Sequence, residues 1–375
     1  MAGTRILRQS TVFVAALLLY LTPLFGQEPQ LAGSILFLNP PRTLCAGVSA
    51  LACLRNPIRR AAKVAENAQR KPKLGHYQLA HHFDYDRRLP LEIKEVGVEQ
   101  CGRATVYDLS YASPLGGRVP AYLIVPTGKG PFAAVMWGHW YWSNSPMRNR
   151  KEFLDEALVL AQANLISLLT DGPIARPGHV ESTEPLNEDQ IRDLVQQVVD
   201  TRRGVDLLLA RKDVDPNRIA YVGHSYNATV GAILSGIDKR FRAFVLMAGS
   251  LSDEIDLKAP EYQQYRLEVG PDKFDQFMER FSWADPGNYV SHAAPATVYL
   301  QYATEEKFLT PERAREYEAI VSKPKRFDLY DAPHALNARA RRDRIAFLTE
   351  HLSLKPLPAT VVASVPDLVQ PPAPD

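Results

Sequence analysis

One stretch near the middle of the chain restricts its fold more than any other. Arg218-Ile219-Ala220-Tyr221-Val222 reads as a buried strand. It runs through Gly223-His224-Ser225-Tyr226-Asn227 directly into a small-residue helical pattern with Ala228, Gly231 and Ala232. A strand that turns sharply into a helix over Gly-x-Ser-x is the layout of a nucleophile elbow, which lifts the serine hydroxyl above the sheet beside a helix N-terminus. Gly223 allows the close backbone approach that such a turn needs. Asn227 stands where a second glycine is usual, and Asn accepts unusual backbone angles better than most residues.

The sequence around the elbow alternates strand and helix. Ala104–Tyr111 and Arg118–Val125 alternate like antiparallel strands joined by Pro-Leu-Gly-Gly, and Ala133–Trp137 is a short apolar run suited to a sheet interior. Helical patterns at 151–162, 188–210, 225–234, 311–321 and 341–352 are interleaved with strand-like runs at 165–169, 244–247, 297–302 and 326–330. This order predicts an α/β fold with a mostly parallel central sheet and helices on both faces. The stretch from Ser250 to His292 is too long for a simple connection. It predicts a small helical excursion over the carboxyl edge of the sheet.

The ends read differently. Arg5 and Arg8 precede the uncharged run Val12–Phe25, which breaks at Gly26-Gln27-Glu28-Pro29. A basic start, an apolar run of about 7–15 residues and a small residue at the break describe an export signal. The run is shorter than the ~20 residues that span a bilayer. Export to the periplasm or cell exterior is therefore expected, with an N-terminal membrane anchor as the alternative and no other span. Residues 1–26 form the signal, 27–89 an N-terminal extension, 90–355 the catalytic domain and 356–375 a disordered tail with six prolines. The basic stretch from Arg55 to Lys73 reads as a solvated helix face. Export allows a Cys45–Cys53 disulfide with Cys101 left over, and two free buried thiols fit equally well.

With 44 Lys+Arg against 42 Asp+Glu, the net charge of +2 lacks the cationic excess that phosphate binding demands, so no nucleic-acid partner is expected. Three scattered cysteines provide neither a disulfide scaffold nor a zinc site.

A serine hydroxyl needs a base, and that base needs an orienting carboxylate. Among nine histidines, position favours His334, in the loop after the last strand and before the last helix. His139 and His224 flank the site, but His224 precedes the nucleophile inside the turn and does not readily face it. The acid is expected after strand 297–302, where Glu305 and Glu306 compete. Glu306 is preferred, and Asp331 reads as a turn residue. One oxyanion N–H comes from Tyr226. The other is expected in the loop Gly138-His139-Trp140-Tyr141-Trp142, from Tyr141 with Trp140 as substitute. His139, Trp140 and Trp142 are candidate pocket residues, and Trp137 is core. Asn227-Ala228-Thr229, formally a glycosylation sequon, lies inside the elbow helix.

Residues from about 90 to 352 resemble the α/β-hydrolases, most closely the dienelactone-hydrolase-like branch that includes acetyl xylan esterases and prolyl-oligopeptidase-type domains. The resemblance rests on Gly138-His139-Trp140, on Val205-Asp206 through Asp215-Pro216-Asn217-Arg218-Ile219, on Gly223 to Asn227, and on Thr304-Glu305-Glu306-Lys307-Phe308-Leu309-Thr310-Pro311. The last is similar to a family stretch Gly-Thr-x-Asp-x-x-Val-x-Pro, which puts Glu306 on the acid. Ala303 for Gly, Glu306 for Asp, Trp140 for a small residue and Asn227 for Gly depart from the pattern. The resemblance implies an α/β-hydrolase fold, no metal or organic cofactor, and a small-molecule ester substrate cleaved by Ser225, His334 and Glu306. The alternatives are a prolyl-oligopeptidase-type peptidase, which usually carries a propeller far larger than the N-terminal extension here, and a non-catalytic binding module.

Overall fold

The computed structural model describes residues 75–372 apart from 143, 181, 183, 307 and 308. The export signal, the basic stretch and the Cys45–Cys53 pair lie outside the described residues. Cys101 is a free thiol.

The strands are β1 (Lys94–Cys101), β2 (Ala104–Ala112), β3 (Arg118–Pro126), β4 (Phe132–Gly138), β5 (Leu165–Thr170), β6 (Val214–His224), β7 (Ala243–Met247), β8 (Thr297–Ala303) and β9 (Lys325–Tyr330). They form one sheet in the order β1-β2-β3-β5-β4-β6-β7-β8-β9. The pairs β1–β2, β2–β3 and β3–β5 are antiparallel, and every pair from β5 onward is parallel. The helices are α1 (His76–Ala80), α2 (Leu154–Ala161), α3 (Glu188–Leu209), α4 (Tyr226–Ile237), α5 (Asp253–Asp256), α6 (Pro260–Val269), α7 (Pro271–Arg280), α8 (Gly287–Val290), α9 (Pro311–Ile320), α10 (Ala338–His351) and α11 (Ala359–Ala363).

Strand side chains point alternately to opposite faces, so a sheet covered on both sides needs apolar residues at every position. The central strands meet that demand. Ala134 and Met136 of β4, Ile219 and Tyr221 of β6, and Phe244 and Leu246 of β7 enter one core with Val198, Val205 and Leu208 of α3 and Ala232 and Ile233 of α4. The intervening Val135, Trp137, Val222, Val245 and Met247 enter the other, with Leu160 of α2 and Ile345, Phe347 and Leu348 of α10. Helix starts follow local chemistry. The Asn187 side chain caps α3 by accepting from the Asp189 N–H at 2.7 Å, and Asn337 caps α10 by accepting from Ala340 at 3.1 Å.

Strands β5 and β6 lie on opposite sides of β4, so the winding reverses there. Open α/β sheets bind their ligands at the carboxyl ends of the strands flanking such a reversal. Gly138 and Gly223 sit in register at this point. Helices α5 to α8 make up the expected excursion. Phe274 and Phe277 of α7 pack on Leu186 and Ile191 around the start of α3. The segment before β1 packs too. Phe83 is fully buried, its ring 5.9 Å from Trp283 and 5.7 Å from Tyr289.

The structure departs from the sequence reading in two places. Strand β1 escaped the sequence reading because it is exposed along nearly its whole length and so lacks apolar alternation. The segment from Pro356, expected to be disordered, is folded as far as residue 372. Val362 and Val365 are buried, the first within the α10 core. Arg341 bonds the Pro366 carbonyl at 3.1 Å and pairs with Asp367 at 2.9 Å. The prolines masked a small apolar spacing, Val362 to Val365, which gives this segment something to bury.

A buried pair ties α10 to α2: the Arg344 guanidinium holds both carboxylate oxygens of Glu156, with side chains 8% and 3% exposed. Removing one partner strands the other charge. Arg344→Leu should therefore lower unfolding free energy by about 3–5 kcal/mol. Denaturant titration checks this, and a loss below about 1 kcal/mol would show the pair to be dispensable.

Candidate active site

The elbow forms where β6 meets α4. Ser225 sits between them at φ 56°, ψ −120°, a strained conformation for a residue with a side chain. Its N–H is held by the Met247 carbonyl at 2.7 Å. The turn requires glycine at 223, since a Cβ there would stand 2.2 Å from the Asn227 carbonyl oxygen. Gly249 completes the fit, for its Cβ would meet Ala228 Cβ at 2.5 Å and the Ser225 carbonyl oxygen at 2.7 Å.

Asn227 has a different function from the one its type suggested. It lies within regular helix rather than at a strained position, fully buried, and its side-chain amide donates to the His139 carbonyl at 2.6 Å. It thereby fastens the aromatic loop to the elbow.

The His334 ring is buried, and its Nδ1 hydrogen-bonds Glu306 Oε1. Glu305 points elsewhere: it is exposed, and its N–H bonds the Ala332 carbonyl at 3.2 Å. The Asp331 side chain accepts from Thr304 Oγ1 and its carbonyl from Asn337, as a turn residue would. Ser225 Oγ and His334 Nε2 are both buried, and neither has a hydrogen-bond partner among the described residues. One is a hydroxyl with its proton unused, the other a ring nitrogen whose lone pair is unused when Nδ1 donates to Glu306. Catalytic hydrogen bonds are commonly long in unliganded sites and tighten with substrate.

The aromatic loop is arranged unlike the sequence expectation. His139 is buried with both ring nitrogens engaged: Nε2 accepts from the Gly172 N–H at 3.0 Å, so Nδ1 donates to the Trp140 carbonyl at 2.8 Å. Burial pushes its pKa down to about 4, which keeps it neutral. His139 therefore holds the loop and is not a pocket residue. Trp140 is fully buried as well, its ring stacked on His224 at 5.2 Å and on His334 at 6.3 Å. Its N–H is taken by Glu152 Oε2 at 2.5 Å, which removes it as an oxyanion donor. Tyr141 stays in contention. Its ring stacks on Tyr226 at 4.2 Å, which brings the two expected donor residues side by side. Tyr226 is the first residue of α4, where an N–H has no intrahelical acceptor. Trp142 remains at the site, with its ring 5.1 Å from His334 and its Nε1 donating to the Pro371 carbonyl at 3.0 Å.

Glu152 and His224 were not anticipated as a pair. His224 Nδ1 lies 2.6 Å from Glu152 Oε1, and His224 Nε2 donates to the His334 carbonyl at 2.9 Å. Both His224 ring nitrogens are thus engaged by groups other than Ser225. Nothing local distinguishes Glu152 within Asn149-Arg150-Lys151-Glu152-Phe153, so sequence carried no signal for it. Among the described residues no group of three or more His, Cys, Asp or Glu is placed to hold a metal ion, and no helix is long and apolar enough to cross a membrane.

Asn227→Ala would leave the buried His139 carbonyl without its donor and should lower stability by about 1–3 kcal/mol. Thermal or denaturant unfolding measures it, and an unchanged midpoint would mean the loop is fastened by other contacts.

No family model and no curated protein matches the sequence. Solved structures do match the fold. Acetyl xylan esterase 1 from Thermoanaerobacterium sp. JW/SL YS485 superposes with a TM-score of 0.59 at 18% identity, covering 73% of this chain and 93% of that one. Acetyl xylan esterase from Paenibacillus sp. R4 gives 0.57 at 18% identity, covering 74% and 92%. With the reversal of winding at β4 and the elbow after β6, these likenesses identify the architecture: the chain has the α/β-hydrolase fold.

Proposed function

We propose that the chain is an exported serine hydrolase that cleaves small carboxylic esters. The observation that carries this reading is the engagement of His334 Nδ1 by Glu306 while Nε2 and Ser225 Oγ are left without partners. The names of the two structural neighbours, both esterases, agree with it. Export rests on the apolar run at 12–25.

In this mechanism Glu306 keeps the His334 proton on Nδ1 and stabilises the imidazolium that forms. Ser225 Oγ attacks the acyl carbon as its proton passes to His334 Nε2. The Tyr226 and Tyr141 N–H groups hold the developing oxyanion. Collapse breaks the ester C–O bond, and His334 returns the proton to the leaving alcohol. A water deprotonated by His334 then attacks the acyl-enzyme, and the acid departs with Ser225 restored.

Ser225→Ala should abolish both fluorophosphonate labelling and hydrolysis of short acyl esters; retention of either removes Ser225 as nucleophile. Glu306→Gln should reduce kcat by roughly 10²–10⁴-fold, by analogy with orienting-acid substitutions in serine triads. Glu305→Gln should leave kcat close to wild type, and the reverse ranking would move the acid to 305. Comparing ester with peptide substrates decides against the peptidase alternative, and a folded chain that takes no label would favour the binding module.

A further inference from the structure

Three loops must be set relative to one another for Ser225 and His334 to act together: the elbow after β6, the aromatic loop after β4 and the histidine loop after β9. One side chain outside the reacting residues touches two of them and reaches the third through a single imidazole. Glu152, whose side chain is 1% exposed, accepts from the Trp140 N–H through Oε2 at 2.5 Å and meets His224 Nδ1 through Oε1 at 2.6 Å. His224 is fully buried and spans the remaining gap to the His334 carbonyl, 2.9 Å away. A carbonyl oxygen only accepts, so His224 Nε2 must carry a proton. The contact between Nδ1 and Oε1 then holds one further proton, on nitrogen or on oxygen.

We propose that Glu152 is a positioning residue that acts as a neutral carboxylic acid, donating its O–H to His224 Nδ1 while its other oxygen holds the Trp140 N–H. The inference rests on the reading of Ser225 and His334 as the reacting pair. Chemistry favours the uncharged arrangement. The His224 and His334 rings are stacked 5.1 Å apart, and His334 must become cationic during acyl transfer. A standing imidazolium at 224 would oppose that charge in a medium of low dielectric. The charged groups facing the pair do not force ionisation: Arg344 is held by Glu156, and Glu306 is committed to His334. Burial acts in the same direction, holding the Glu152 carboxyl well above its ordinary range and the His224 imidazole well below.

Two measurements test this. Glu152→Gln places an amide where the acid stood, with N–H toward His224 Nδ1 and oxygen toward Trp140, whereas Glu152→Leu offers neither. Because small misplacements of reacting groups are costly, Glu152→Leu should lower kcat about 100-fold with KM little changed, and Glu152→Gln should recover most of that loss. If Gln is as damaging as Leu, or Leu leaves kcat intact, the proposal fails. Independently of activity, ¹⁵N spectra of histidine-labelled Ser225→Ala protein, with His224 assigned by its loss in His224→Gln, should show a neutral Nε2–H tautomer at 224 at neutral pH. An imidazolium signal there overturns the proposal even if Glu152→Leu does not fold. Activity persisting in Ser225→Ala would instead overturn the reading of Ser225 as nucleophile and leave the tautomer result standing.

Discussion

Ser225 keeps its strained backbone angles only because its neighbours leave it no alternative. The Met247 carbonyl fixes its N–H, and the absence of a side chain at Gly223 and Gly249 lets the first turn of α4 press against the ends of β6 and β7. Local strain of this kind persists when the surrounding structure over-determines it. Everything placed around the hydroxyl is referenced to that contact. Asn227 carries it to the aromatic loop, and His224 carries it to the loop of His334.

The sheet supplies the rigidity against which such strain can be held. Its central strands are covered on both faces, by α3 and α4 on one side and α2 and α10 on the other. The candidate site residues then emerge from the ends of strands rather than from long free loops. His334 follows β9 within a few residues, and Glu306 follows β8 equally closely. A site built on strand ends places its groups more narrowly than one built on mobile connections.

Most of this was legible in the sequence where local pattern and chain order suffice. The strands β4, β6, β7 and β8 announce themselves as short apolar runs because both their faces are buried. Ser225, His334 and Glu306 were expected as site residues from their places after particular strands, and the structure brings Glu306 rather than Glu305 to His334. What escaped is what depends on distant partners or on weak local signals. Glu152 meets His224 across 72 positions, and no local pattern encodes that pairing. His139 looked like a pocket residue from its place in the loop, but the Gly172 N–H, 33 positions away, takes its outer nitrogen. Strand β1 buries no face, and the segment after Pro356 was hidden by its proline content.

That C-terminal segment carries a consequence for when the site becomes complete. Gln370 accepts from the Ala335 N–H at 3.1 Å, beside His334, and Pro371 accepts from Trp142. A polypeptide is made from its amino end, and these fastenings come after Ser225 and every strand of the sheet in chain order. The turn at Ser225 and the sheet beneath it can assemble while the ribosome is still at work. The loop of His334 gains these tethers only once residues 370 and 371 have been made, later than the elbow and the sheet.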